Sequence, residues 1–599
     1  MRSGIVLMAQ KELRCAYGVP IESGMARYKV EARGRVYYFC SNDCMRSFES
    51  PKIAYFSMEV GIRNEIPTYS GGLGVLAGDI IRSSADLRIP LIAVTLVSRR
   101  GYVRQKVTEE GEQLEYPEEW DPSKLLEPLP STVKVTIGDS DVRVRAWLYE
   151  HLSPVCGVAQ VLFLDTDVDG NAPEDREITH YLYGGDDRYR LKQEIVLGIG
   201  GVRMLKALGF DVRKYHMNEG HSSLLTLELL RENGMDSDKV SSQCVFTTHT
   251  PVEAAFDKFS YDIVEDLLGR EFPLEVLKRY GGQDMLNMTS LALNLSKYVN
   301  GVTRAHAKYS SALFRGHQIW PITNGVHSYT WTCQWYRELF DKYIPAWANE
   351  PELLVRAIEI PAEEVWDAHV KAKMTLLDFV KRTRGVDLDP NALTLGFARR
   401  ATEYKRATLI FSDLERLREV NRSGRIQLVF AGKAHPRDES GKRIIREIHG
   451  YKAQLKDEVE IAYLENYDLS IAAMFTSGVD VWLNTPVPPF EASGTSGMKA
   501  AHNGVINFSV LDGWWIEGCI DGVTGWAIGP SPIVTLEEGE RRRRELSDLY
   551  NKLEYVIVPT FYSKRDEWIT MMKNSIGKVA YYFNSHRMMR RYITQAYLM

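Results

Sequence analysis

The sequence predicts an α/β protein built from two large doubly wound lobes, preceded by a small α+β module that carries cysteines. Three observations lead there. At 599 residues the chain is too long for a single hydrophobic core and has to divide. Its second half alternates short β-branched runs with helical segments, as a parallel sheet covered on both faces requires. Its first fifty residues hold Cys15, Cys40 and Cys44 in a pattern unlike anything that follows. The expected layout is therefore a module over 1–50, a first lobe over 51–320 and a second lobe over 321–599.

Composition narrows the class. Apolar residues make up 44% and charged residues 26%, the values of an ordinary globular protein. A net charge of -5 carries no nucleic-acid signature, so any basic site has to be local. No apolar run reaches the roughly 20 residues a membrane span needs. The opening MRSGIVLMAQKE has too short an apolar core for a secretory signal, and the expectation is a cytoplasmic protein. Seven cysteines do not suggest a disulfide framework, and Cys156, Cys244, Cys333 and Cys519 read as scattered buried thiols.

Within the module, polar and apolar residues alternate from Tyr28 to Tyr38, which predicts a hairpin. Cys40 and Cys44 then stand one helical turn apart, with Cys15 near enough in sequence to join them across the hairpin. Three thiolates so placed could hold zinc or another transition metal, or be free thiols in a small packed unit. The pattern resembles the YHS or TRASH-type metal modules, although no fourth ligand is evident.

The first lobe opens at Ile53. Ser70-Gly71-Gly72-Leu73-Gly74 is a turn entering a helix, a backbone able to offer amide hydrogens to an anion. Residues from Ile89 to Leu164 alternate as strands and hairpins. Asp187 to Leu208 is helical, with Ile195, Leu197, Ile199 and Val202 on a buried stripe. KYHMNEGHSS ends a strand and starts a helix near Gly220; Asn218, Glu219 and His221 there read as metal ligands, as a catalytic dyad, or as helix caps lining a polar wall. His249 follows an apolar strand and heads a proline loop. Trp320 to Trp331 (WPITNGVHSYTW) marks the crossing to the second lobe.

The second lobe shows four strands, LTLGFA, IQLVFAG, VEIAYLE and VDVWLN. Its polar residues of interest all follow strand ends: Arg399, Arg400 and Lys405; Lys433 and His435; Asn466 and Tyr467; Glu491 to Lys499. Ligands of open α/β sheets bind outside the carboxyl ends of the strands, so these positions converge on one cleft. In EASGTSGMK (Glu491 to Lys499) small residues permit a sharp turn and a helix start near Met498, a setting for an anion with a titratable ammonium beside it. Taken alone it is equally a solvated lysine after a glycine turn. Arg406 reads as solvated, and Glu537 to Glu545 (EEGERRRRE) as an exposed helix start. The tail from Leu553 to Leu598 has helical periodicity.

EASGTSGMK, with LNTP upstream and LDGWW downstream, resembles the cofactor segment of the α-glucan (glycogen, starch, maltodextrin) phosphorylases of the short prokaryotic form. The glycine turn at 70–74, the His-Thr loop at His249, the Trp320–Trp331 crossing and ARRATEYKR (Ala398 to Arg406) match the same family in the same order. The resemblance implies a GT-B fold, two Rossmann-like domains facing a central cleft with the last helices crossing back, and a homodimer or higher homo-oligomer. It also implies pyridoxal 5'-phosphate held covalently by Lys499, with Arg399 beside the cofactor phosphate and Thr495, Ser496, Tyr467 and Trp331 around it. By the same carry-over Arg400 and Lys405 hold inorganic phosphate, and Gly72, Leu73, Asn324, Ser493 and Gly494 bind substrate. His249, Arg400, Lys405 and Glu491 then form the catalytic set. Ala254-Ala255-Phe256 departs from the family pattern.

The implied reaction is phosphorolysis of terminal α-1,4-linked glucose to α-glucose 1-phosphate with retention. Most retaining glycosidases use two carboxylates about 5 Å apart. Here one carboxylate, Glu491, stands among several cations, which suits phosphate as the attacking group. Two alternatives remain at this level: a nucleotide-sugar glucosyltransferase of the same architecture, and a regulator that has kept the fold without the activity.

Overall fold

The computed structural model describes residues 28–32, 35–39, 52–251 and 256–598. Cys15, Cys40 and Cys44 lie outside these residues, as do Ala254 and Ala255. In the first fifty residues Tyr28–Ala32 and Arg35–Phe39 pair antiparallel, as the alternation predicts.

Two sheets organise the rest. The first has nine strands, in the spatial order Ile319–Pro321, Tyr298–Gly301, Cys244–Thr247, Lys214–Asn218, Ile53–Ser57, Leu91–Leu96, Val158–Asp165, Ser140–Leu152 and Glu127–Ile137. The first seven run parallel, Ser140–Leu152 pairs antiparallel with the seventh, and Glu127–Ile137 pairs antiparallel with Ser140–Leu152. The second has six parallel strands, ordered Glu460–Leu464, Ile426–Ala431, Leu393–Ala398, Val481–Asn484, Ile506–Val510 and Gly525–Ile528. Each sheet reverses its winding at a central strand pair. In the second sheet that pair is Leu393–Ala398 beside Val481–Asn484, and the loops leaving their carboxyl ends open a crevice.

The central parallel strands of both sheets are buried on both faces, which is why they read as continuous apolar runs, while the antiparallel strands Glu127–Ile137 and Ser140–Leu152 alternate exposed and buried positions. Along Ile53–Ser57, Ala54 and Phe56 pack into one core while Ile53 and Tyr55 pack into the opposite one. Along the second sheet, Leu395, Phe397, Leu428 and Phe430 face one core, and Ala398, Val429, Ala431 and Trp482 the other. The two-residue period of a strand makes that division. A fully buried apolar side chain of this size contributes about 1.5–3 kcal/mol before the entropy of ordering it is subtracted.

The C-terminal helices return to the first sheet. Met588, Met589, Tyr592 and Tyr597 belong to the same core as Tyr55, Ala93 and Val245. Tyr597 Oη lies 2.7 Å from His216 Nδ1, and Asn300 Nδ2 donates to Tyr592 Oη at 3.1 Å.

Several local expectations need correcting. The helix foreseen near Gly220 is a single tight turn, Gly220–Ser222, and the regular helix begins later, over Leu225–Glu232. Ser222, Thr226 and Gly220 are buried there, so packing rather than propensity sets the start. Arg406 is not solvated: it donates to the carbonyls of Thr485 and Pro486 and pairs with Glu545 at 2.7 Å. Of the four scattered cysteines Cys244 is buried, while Cys156, Cys333 and Cys519 are half-buried, and all four are free thiols. Among the described residues no helix is long and apolar enough to cross a membrane.

Candidate functional site

A cavity of about 560 Å³ lies between the carboxyl ends of the two sheets. All the described site residues expected from sequence line it: His249, Gly72, Leu73, Asn324 and Trp331 from the first sheet's side and the crossing, and Arg399, Arg400, Lys405, Tyr467, Glu491, Ser493, Gly494, Thr495, Ser496 and Lys499 from the second. Cys15, Cys40 and Cys44 fall outside the described residues.

The second sheet supplies most of the charge. Arg399 and Arg400 follow the strand Leu393–Ala398, and Lys405 closes the turn Glu403–Lys405. Glu491 follows the neighbouring strand Val481–Asn484 across the crevice. Its carboxylate takes Arg399 at 2.6 Å and Lys405 at 2.7 Å. Burial alone would raise the acid, but the two cations more than offset it and hold Glu491 down to about 2. Burial lowers Lys405 to about 7, with Arg399 adding to the effect and Glu491 only partly compensating. The direction for the pair is an ionised carboxylate shared by two cations.

The loop bearing Glu491 is fixed from behind. Glu491 N donates to Asp512 Oδ2 at 2.8 Å, and Trp514 N to Ser493 O at 2.9 Å. Gly513 makes this approach possible: its φ is +54°, and a Cβ there would stand 2.2 Å from Ser493 O. Burial pushes the Asp512 carboxyl up to about 7.

Arg400 differs from its neighbour. It is exposed to the cleft and has neither ion pair nor hydrogen bond among the described residues; the groups acting on it are Tyr404, Tyr102, Glu59 and Tyr183. The three cations thus differ in their partners: Arg399 and Lys405 share the single carboxylate of Glu491, and Arg400 is the open one among the described residues. Lys433 is also tied, donating to Val103 O at 2.9 Å. Asn466 turns away from the cavity to bond Gln105 of the first lobe.

Lys499 sits on a helix of six residues, Ser496–Ala501, which opens two positions before the expected Met498. Its Nζ lies 4.0 Å from the centre of the Trp331 ring, with no polar partner among the described residues. Trp331 Nε1 in turn donates to both oxygens of Asp79, at 3.0 and 2.9 Å, and Asp79 pairs with Arg82 at 3.1 Å. Burial lowers Lys499 to about 8; Asp79 opposes that shift, and Arg82 and Arg399 reinforce it. The amine therefore gives up its proton more readily than an ordinary lysine, while most of it still carries a charge at neutral pH, and it faces the cavity.

The first sheet's wall is polar with its charges closed. His249 Nε2 lies 2.6 Å from Asn218 Oδ1, and burial lowers the imidazole to about 3, so it is neutral. Glu219, at a strained φ of +68°, accepts from His249 N, Thr250 Oγ1 and Gly220 N. Burial still raises it to about 7. Its side chain thus ties the loop, the capping alternative, and Asn218, Glu219 and His221 form no metal-spaced group. Asn324 Oδ1 is buried with no hydrogen-bond partner.

The glycine turn also departs from expectation. Ser70 N and Gly71 N both donate to Glu59 Oε2, at 2.6 and 3.1 Å, so these two amides are not free for an anion. The helix begins at Gly72, and the amides of its first turn remain without helical partners. Open space faces Gly71 and Gly72 where a Cβ would stand.

Sequence reasoning missed Glu59, Asp79, Arg82 and Asp512. The pair at Asp79 and Arg82 has the i,i+3 spacing of a helix ion pair, and Asp512 stands in the LDGWW segment, but nothing in either pattern says which cavity it faces.

With this geometry in hand, comparison with known proteins gives consistent matches. The carbohydrate phosphorylase family model matches residues 273–521. The chain is 41% identical to maltodextrin phosphorylase of Thermococcus litoralis over 92% of its own length and 71% of the relative's. It is 37% identical to glycogen phosphorylase of Aquifex aeolicus, covering 91% of the chain and 86% of the relative. The same identity holds to glycogen phosphorylase of Mycobacterium tuberculosis, over 91% and 70% respectively.

Proposed function

From the premise that the chain belongs to the carbohydrate phosphorylase family, we propose that its cleft performs phosphorolysis of α-1,4-glucans such as glycogen or maltodextrin, releasing α-glucose 1-phosphate with retention. It is a glycosyltransferase of GT-B fold, with a first lobe over 51–320 and a second over 321–599. The observation that carries the reading is the pair of cationic side chains, Arg400 and Lys499, that open into one cavity with no ion-pair partner for either among the described residues.

The family uses pyridoxal 5'-phosphate, and the residues present fit it. A buried amine lowered to about 8 suits capture of an aldehyde, because the uncharged form is the nucleophile. Trp331 gives that amine an aromatic wall, and Thr495, Ser496 and Tyr467 line the cavity around it. We assign these residues and Arg399 to holding the group. When bound it supplies a phosphate that relays a proton to the substrate phosphate.

The chain's own residues do the rest. Arg400 binds inorganic phosphate, offsetting the repulsion of two phosphates brought together. Arg399 and Lys405, anchored on Glu491, keep a net positive charge beside it. Substrate phosphate gives its proton to the glycosidic oxygen, the bond from that oxygen to the anomeric carbon breaks, and a phosphate oxygen bonds the same carbon on the same face. Glu491, fixed as an anion, faces the positive charge that develops on the sugar. Asn324 Oδ1 accepts from a sugar hydroxyl, as do His249 and Ser493, while Gly494 and the amides at Gly72 and Leu73 complete the donor set. The other carboxylates that line the cavity are engaged by protein donors: Glu219 by three of its own loop, Glu59 by Ser70 N, Gly71 N and Tyr183 Oη, Asp257 by Arg190, and Asp468 by Ile471 N.

The test is release of glucose 1-phosphate from maltodextrin. Product should require both inorganic phosphate and pyridoxal phosphate. Free glucose without phosphate would point to a hydrolase, and transfer from a nucleotide sugar to the alternative glucosyltransferase. We further propose a homodimer acting in the cytoplasm, the dimer from family resemblance and the compartment from cysteine usage. A transition metal on Cys15, Cys40 and Cys44 is proposed from their spacing alone, and metal content of the triple serine variant tests it.

A further inference from the structure

Away from the cleft, three side chains from distant parts of the chain meet in a buried place. Asp86 ends the helix Gly72–Asp86, His327 precedes the helix Ser328–Trp331, and His586 lies on the returning helix Ser585–Tyr592. Asp86 Oδ2 is 2.7 Å from His327 Nε2 and 2.8 Å from His586 Nε2. The side chains are only 1–2% exposed. Among the described residues this is the one group of histidine, cysteine and carboxylate side chains with metal-ligand spacing, its ligand atoms all lying within 4.8 Å of one another. None of the three lines the reaction cavity.

Each imidazole is oriented from its far side. His586 Nδ1 faces the backbone carbonyl of Asn349 at 3.2 Å, whereas His327 Nδ1 lies 2.7 Å from Thr330 Oγ1 and accepts from Thr330 N at 3.3 Å. A carbonyl can only accept, so Nδ1 of His586 carries the hydrogen. A neutral His586 then turns the lone pair of Nε2 toward a carboxylate oxygen. Two lone pairs at that distance repel unless a cation stands between them. His586, which donates at Nδ1 and presents Nε2 to the carboxylate, has the arrangement of a metal ligand with its outer partner in place. The backbone is fixed as well: Val326 N donates to Phe583 O and Ser585 N to Val326 O. Asp86 Oδ1 accepts from Ser153 Oγ, leaving Oδ2 for the centre.

We propose that Asp86, His327 and His586 form a structural site for a divalent transition cation of the zinc type, which clamps the C-terminal helices to the first lobe. Two imidazole nitrogens and one carboxylate oxygen, with a fourth position for water, suit such an ion. Tetrahedral ligands at 2.0–2.1 Å stand about 3.3 Å apart, so the ligands open by about half an ångström when the ion enters. The site ties residues 86, 327 and 586 without touching substrate.

The test uses the full chain carrying Cys15→Ser, Cys40→Ser and Cys44→Ser, so that the cysteine module contributes no zinc. After incubation with zinc and gel filtration it should retain about one metal per chain. Adding His327→Gln and His586→Gln should reduce that to background. Stripping the parent with a chelator should lower its thermal midpoint by about 3–5 °C, and zinc should restore it. If the double glutamine variant fails to fold, cobalt(II) bound to the triple-serine parent provides the reading: visible d–d bands without thiolate charge transfer are expected. A triple-serine parent that binds neither zinc nor cobalt, or a folded double variant that retains as much zinc as the parent, would overturn the proposal and leave a proton as the cation between these groups.

Discussion

The two walls of the cleft differ in how their charges are closed. On the first sheet's side nearly every charge is spent locally: Glu219 on three donors, Arg190 on Glu194 and Asp257, and His249 neutral against Asn218. On the second sheet's side Arg399 and Lys405 share a single carboxylate, and Arg400 and Lys499 have none among the described residues. A neutral wall rich in acceptors suits hydroxyls; a wall with surplus positive charge suits phosphates. Division of labour between sugar and anion follows the division between lobes, and the reaction needs both walls at once.

Breaking the cationic wall should have the largest effects. Lys499→Ala should lose the pyridoxal absorbance and drop phosphorolysis by about 10⁴-fold or more, because the cofactor has no other covalent anchor. Glu491→Gln should lower kcat by about 10²–10³-fold, the usual effect of losing one preorganised transition-state charge. KM for phosphate should not rise in that variant, since the wall has become more cationic. Arg400→Ala sharpens the contrast: the cofactor band stays, while KM for phosphate rises about 10–100-fold, as expected for a lost charge-assisted contact. If Arg400→Ala instead raised KM for glucan alone, the division between walls would fail.

The smallest expected effect is electrostatic. The folded pKa of Lys499 is depressed to about 8, below an ordinary lysine, so the amine in cofactor-free protein loses its proton as pH rises through that value. The rate of pyridoxal phosphate loading should climb with a midpoint near 8. Asp79 acts to raise this pKa, so Asp79→Asn should move the midpoint to lower pH; a midpoint that stays put or rises would show that Asp79 acts through Trp331 alone.

Much of this was legible in the sequence because it lies at strand ends. Runs such as Leu393–Ala398 and Val481–Asn484 are apolar on both faces, which marks them as central parallel strands and places Arg399 and Glu491 outside their carboxyl ends. What could not be read was partner choice. Arg399 and Arg400 are chemically identical and adjacent, yet one closes on Glu491 across the crevice while the other remains open, and only the fold decides which. Asp79 and Arg82 look like ordinary helix residues until the helix is laid against Trp331 from the crossing segment. Glu59 takes the Ser70 and Gly71 amides from eleven and twelve residues away, a contact that the glycine pattern does not foretell.

The most direct test of the central claim is borohydride reduction of the cofactor-loaded protein followed by peptide mapping. The account predicts a pyridoxyl group on the peptide that contains Lys499, in a stoichiometry matching the active fraction. A label on Lys405 or Lys433, the other cavity lysines, or no label on an active protein, would contradict it.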